Sequence, residues 1–147
     1  RGYRLKVFID TSAFCALTVP KDQFNSTAKI IYKQIQDKKS YIYSSDYVLD
    51  EVYTLLKTRS NHAVSVRFME EIQKSHIIIL RITEDIEEAA KTIFRQLPDK
   101  RLSFTDCTSF ALINHFDIEA VFAFDEHFRY HSYSHSVEFL ASTLPNI

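Results

Sequence analysis

Apolar positions in this chain alternate between short continuous runs and helical spacing. Leu5 to Ile9 is a run broken only by Lys6, and it stops at Asp10-Thr11-Ser12. Phe24, Ala28, Ile31 and Ile35 then recur every three or four residues, which predicts an amphipathic helix ending near Lys38-Lys39-Ser40. Tyr41-Ile42-Tyr43 is short and β-prone, and after Ser44-Ser45 the positions Val48, Val52, Leu55 and Leu56 trace the buried face of a second helix. Asn61 is placed to cap a third helix carrying Val64, Phe68 and Ile72. The run His76 to Ile82 reads as a third strand, apolar enough for burial on both faces and therefore for a parallel sheet.

The most regular helical pattern begins at Thr83 or Glu84 and carries Ile86, Ala89, Ala90, Ile93, Phe94 and Leu97 before Pro98. Ser103 to about His115 predicts another helix, Ala120 to Phe124 a strand ending at Asp125, and Val137 to Leu140 an edge strand. Strands alternating with helices predict βαβ units in a three-layer α/β/α sandwich with a mostly parallel central sheet. No repeat, low-complexity tract or linker divides the 147 residues, so one domain over 1–147 is expected.

Composition narrows the chemistry. The chain is 46% hydrophobic and 25% charged, and no apolar stretch approaches the length that crosses a bilayer. Its start lacks the charged-then-apolar pattern of a secretory signal, and a cytoplasmic protein is expected. A single Gly in the sequence excludes GxGxxG and Walker phosphate loops. Cys15 and Cys107 have no CxxC partner and read as small core residues. A net charge of −1 requires any nucleic-acid binding to use a local basic patch or a bound cation.

The candidate chemistry lies in four acids, each expected just past a strand or early in a helix. Asp10 follows the first strand, Asp125 the later one, Glu51 sits in a second helical turn, and Asp106 opens a helix. Each has an ordinary structural reading. Asp10 suits an N-cap, Glu51 a dipole partner, Asp125 a turn, and Ser103-Phe104-Thr105-Asp106 has capping-box spacing. All four nevertheless fall at one end of one sheet, where open α/β folds bind ligands. Side chains early in a helix aim back toward that end. Converging carboxylates repel and gain protons unless a cation joins them, and hard oxygen donors suit Mg²⁺ or Mn²⁺. A metal-held water beside a neutralised phosphate points to phosphodiester hydrolysis.

Val7-Phe8-Ile9-Asp10-Thr11-Ser12, the Ser45 to Glu51 segment, Leu102-Ser103-Phe104-Thr105-Asp106 and Phe124-Asp125-Glu126-His127-Phe128 together resemble a PIN-domain nuclease, with the size and pattern of VapC-type toxins. The resemblance spans nearly the whole chain in motif order. It implies that Asp10, Glu51, Asp106 and Asp125 form the acidic metal site, with Ser12 or Thr105 as polar support. It also implies Mg²⁺- or Mn²⁺-dependent cleavage of single-stranded or looped RNA, a homodimer, and a small antitoxin as partner. Two other readings stand beside it: a catalytically silent RNA-binding or assembly module of the same fold, and an aspartyl-phosphate phosphotransferase. The last normally has a second Asp two residues after the first, where this chain has Ser12.

Other residues invite a role. His127 and Arg129, close to Asp125, and Arg101 are candidate RNA contacts; Lys57, Arg59 and Lys100 extend a possible basic rim. His127, His131 and His135 repeat every four residues, but the stretch Tyr130 to His135 has no apolar period to make a helix and reads as a polar loop. Most of the eight Tyr and twelve Phe are expected in the core, with Tyr47 or Tyr53 as candidates to stack a base.

Overall fold

The computed structural model describes residues 3–141; the ends of the expected unit, 1–2 and 142–147, lie outside them. Strands β1 (Lys6–Ile9), β2 (Tyr41–Ser45), β3 (Ile78–Leu80), β4 (Ala120–Phe122) and β5 (Glu138–Phe139) form one sheet in the order β3-β2-β1-β4-β5. Every pairing in it is parallel. Helices α1 (Thr11–Thr18) and α2 (Asn25–Asp37) link β1 to β2, α3 (Asp46–Arg59) and α4 (His62–Lys74) link β2 to β3, and α5 (Glu84–Gln96) and α6 (Phe104–His115) lead to β4. The chain winds outward from β1 to β3 and then returns to the other side of β1. Because crossovers between parallel strands are right-handed as a rule, winding in opposite directions from β1 puts the connecting helices on opposite faces, which gives the three layers.

Side-chain caps start several helices where the sequence places them. Ser45, Asn61, Thr83 and Ser103 each accept a backbone N–H in the first turn of α3, α4, α5 and α6. The core runs from β1 and β4 into α6, with Phe8, Phe110, Phe122 and Phe128 at most 1% exposed. Helix α6 is buried along most of its length, from Asp106 to Ile113. Phe110 and Phe128 meet edge-on with centroids 5.4 Å apart, and Phe8 lies 6.4 Å from Phe128.

Two expectations need correction, and one helix had no expectation at all. The segment expected as a strand buried on both faces contributes only Ile78–Leu80 at the sheet edge, with Ile78 44% exposed. Its apolar run covers the sheet margin instead of crossing the interior. The chain between β1 and Phe24 forms α1, which had no sequence assignment because its Ala13, Phe14, Ala16 and Leu17 are too few to establish a period. The strand expected over Ala120 to Phe124 stops at Phe122, and a bend carries the chain to Asp125.

Candidate active site

The sheet order reverses at β1, which pairs with β2 on one side and β4 on the other. Ligand crevices in parallel α/β sheets open at such a switch point, beyond the carboxyl ends of the strands. Asp10 is the first residue after β1, and its amide extends the ladder by donating to the Phe122 carbonyl at 3.0 Å. The residue is 3% exposed. Burial raises its carboxyl well above the usual range, and the charges of Asp125, Asp106 and Glu51 push the same way, against the hydrogen bond from the Thr11 amide.

The other acids arrive on separate supports. Glu51, in the second turn of α3, accepts a 2.6 Å bond from Thr11 Oγ1. Asp106 occupies the third position of α6 in a reciprocal capping box: its amide donates to Ser103 Oγ at 3.0 Å, and its Oδ2 accepts from the Ser103 amide at 3.0 Å. Burial raises the Asp106 carboxyl, opposed by the Ser103 amide and by His127. The His127 ring lies close, with Nδ1 3.0 Å from Asp106 Oδ2 and 3.6 Å from Asp125 Oδ1. Asp125 Oδ1 also accepts the His127 amide at 3.1 Å, which closes a tight turn anchored by buried Phe128. The capping geometry of Asp106 is therefore compatible with a place in the acidic cluster, its Oδ2 both capping the helix and meeting the His127 ring.

Asp10, Glu51, Asp106 and Asp125 line one open cavity of about 430 Å³, together with Ser12, Arg101 and His127. Ser12 Oγ accepts the Phe124 amide at 2.9 Å and so ties α1 to the bend that carries Asp125. Thr105 does not line the cavity, and its side chain makes no hydrogen bond among the described residues; Thr11 and Ser103 are the hydroxyls that position carboxylates. Arg129 lies over Phe139 at 4.8 Å, outside the cavity lining. Arg101 reaches the cavity but is held twice by Asp99, at 2.7 and 3.1 Å, and lies over Tyr130; that contact lowers the Asp99 carboxyl to about 2.

The remaining candidates disperse. His131 stacks on Phe110 and bonds Asn114, while His135 contacts the Ile118 carbonyl, so the four-residue His spacing gathers no face. Tyr47 bonds Glu87 and Tyr53 packs against Phe68; neither lines the cavity. Cys107 is buried as expected, whereas Cys15 is half-buried in the cavity wall, where burial raises its thiol to about 11. The aromatics that do line the site are Phe24 and Phe124, whose stacking joins residues 100 apart and leaves no local sequence signal.

Among the described residues no three His, Cys, Asp or Glu side chains already converge as ligands of one ion. The donor set nonetheless suits a hard cation, because its oxygens are carboxylate and the most buried of them is opposed by like charges. Mg²⁺ that keeps its waters needs only one or two protein carboxylates.

The fold and this site define a parallel α/β protein with an acidic centre at its topological switch point. The PIN domain family profile matches residues 7–132, and this chain belongs to that family. It is 31% identical over 122 residues to the 23S rRNA-specific endonuclease VapC20 of two Mycobacterium tuberculosis strains, an alignment covering 83% of this chain and 91% of the relative. The crystal structure of Mycobacterium tuberculosis VapC20, described as a sarcin-ricin loop cleaving toxin, superposes with a TM-score of 0.78 at 29% identity, over 86% of this chain and 95% of that one. A DNA-bound VapBC structure from Salmonella typhimurium shares the fold, with a TM-score of 0.68 at 13% identity over 92% of this chain and 98% of the other. Among the described residues no helix is long and apolar enough to cross a membrane.

Proposed function

We propose that this chain is an endoribonuclease that hydrolyses RNA phosphodiester bonds with a Mg²⁺ or Mn²⁺ ion held among Asp10, Glu51, Asp106 and Asp125. The observation that carries the reading is Asp10, a carboxyl 3% exposed at the sheet's switch point and opposed by three further acids. Such an arrangement is costly for a metal-free protein and useful to one that binds a cation. Likeness to an rRNA-specific endonuclease over most of both chains supports RNA as the substrate. When bound, the ion supplies a nucleophilic water and neutralises charge on the phosphate. The chain's own part is positional. Thr11 fixes the Glu51 carboxyl, the Ser103 cap fixes Asp106, the His127 amide fixes Asp125, and the His127 ring lies 3.0 Å from Asp106.

The biological setting that fits is the toxin of a toxin–antitoxin pair: a cytoplasmic, homodimeric single PIN domain held in check by a small antitoxin. The VapC and VapBC relatives support it, and a small DNA-binding protein encoded next to this gene is its expected companion. Purified protein is incubated with RNA in Mg²⁺ or Mn²⁺, with Asp10→Asn in parallel. Internal cleavage by the native protein alone supports the nuclease. Bound but intact RNA supports a silent binding module, and acid-labile phosphate on Asp10 supports a phosphotransferase.

A further inference from the structure

The wall of the cavity holds an aromatic stack that the carboxylate chemistry does not use. Phe24 and Phe124 stack with their planes nearly parallel, 6° apart with centroids 4.6 Å from each other, and Phe124 meets Phe122 of β4 at 5.7 Å. The rings therefore form a path from the core to the cavity, ending in Phe24, which is 37% exposed. Both rings sit on restrained backbone. The Phe24 amide donates to Asp22 Oδ1 at 2.8 Å, Asn25 Nδ2 ties the start of α2 to the Ala16 carbonyl at 2.8 Å, and the Phe124 amide is held by Ser12. An exposed ring fixed in this way, beside an acidic centre, is a surface on which a flat group stacks with little loss of side-chain freedom.

The cavity also contains two arginines of different availability. Arg101 is committed to Asp99 and Tyr130, whereas Arg59, in the last turn of α3, is exposed and makes no ion pair among the described residues. A free guanidinium is suited to a phosphate. We propose that Phe24, backed by Phe124, and Arg59 form a subsite for one unpaired nucleotide of the RNA strand, the base stacking on Phe24 and a backbone phosphate held by Arg59. The subsite rests on the reading of RNA as substrate. It selects strands in which a base can leave its neighbours, because the faces of paired bases in a duplex are already covered.

The test measures binding of a labelled, unstructured oligoribonucleotide by fluorescence anisotropy in the Asp10→Asn background, so that the RNA stays intact. Phe24→Ala weakens binding on the order of tenfold. Phe24→Leu, which keeps apolar packing, restores none of this, and Phe24→Trp binds at least as well as Phe24. Arg59→Ala lowers the slope of log affinity against log salt by about 0.7, the contribution of one phosphate on a single strand, while Phe24→Ala leaves that slope alone. The same sequence as a duplex binds more weakly. Full binding by Phe24→Ala or Phe24→Leu, an unchanged salt slope in Arg59→Ala, equal binding of duplex, or no RNA binding at all overturns the subsite. RNA that binds with these dependences yet is never cut by the native protein overturns the nuclease reading and leaves the subsite standing. Cleavage by Phe24→Ala at the native rate does the reverse.

Discussion

At the scale of single residues, Asp10 sets the energetics of the site. Its carboxyl and that of Asp106 are raised in the folded chain, chiefly by burial. Below the ordinary carboxylate range both groups are protonated in folded and unfolded chains alike, and neither affects stability. As pH rises from that range through the raised folded values, the unfolded chain releases its protons first, and stability falls. Metal-free protein should therefore lose melting temperature with rising pH across that window. Asp10→Asn should flatten the loss and raise Tm at neutral pH, by roughly 2–4 °C for each kcal/mol relieved. Saturating Mg²⁺ should stabilise native protein but not Asp10→Asn; scanning calorimetry at several pH values checks both. Thr11 makes a second residue-scale prediction. Thr11→Val should leave Tm almost unchanged yet lower kcat on the order of tenfold, because the hydroxyl orients Glu51. The places of Asp10 and Asp125 were readable from strand ends and the cap made by Asp106 from its spacing to Ser103, while Glu51 and Asp106 joined the acidic set only through the family pattern. The role of Thr11 was not readable, since its partner lies 40 residues away and only the fold brings them together.

At the scale of elements, α6 links stability to the site. Its buried length gives little helical period, yet its start was readable from Ser103 and Asp106, because capping is a local interaction. Ser103→Ala should cost about 1 kcal/mol of stability. Cleavage measured well below the melting temperature should fall further than that loss explains, because the same bonds hold Asp106. Equal activity at matched folded fraction would count against the link. Elements read from one-dimensional pattern failed where pattern is ambiguous. Helix α1 is eight residues with its apolar positions bunched, and β3 carries an apolar run that the sheet leaves at its edge. Apolar character marks both as packed but does not say on how many sides.

At the scale of the whole molecule, the sheet order makes the site, and no local signal encodes that order. β1 and β4 are separated by most of the chain, yet their register, Ile9 opposite Phe122, brings Asp10 beside the bend that bears Asp125. Phe128 anchors that bend in the core against Phe8 and Phe110. Phe128→Ala should cost about 3–5 kcal/mol, seen as a large drop in Tm, and should loosen Asp125 and His127 with it. Four acids and Arg59 line one cavity, so on the proposed reading a chain of net charge −1 would meet RNA through a local cation and a local guanidinium.

The most direct measurement is the initial rate of RNA cleavage by purified protein as Mn²⁺ or Mg²⁺ is titrated from a chelated start, for native chain and Asp10→Asn. The account predicts no cleavage without metal, saturable activation in the native protein, and a loss on the order of a thousandfold in Asp10→Asn, several kcal/mol of transition-state stabilisation, with the variant still folded. Cleavage that persists in chelator, or that survives in Asp10→Asn at the native rate, would contradict it.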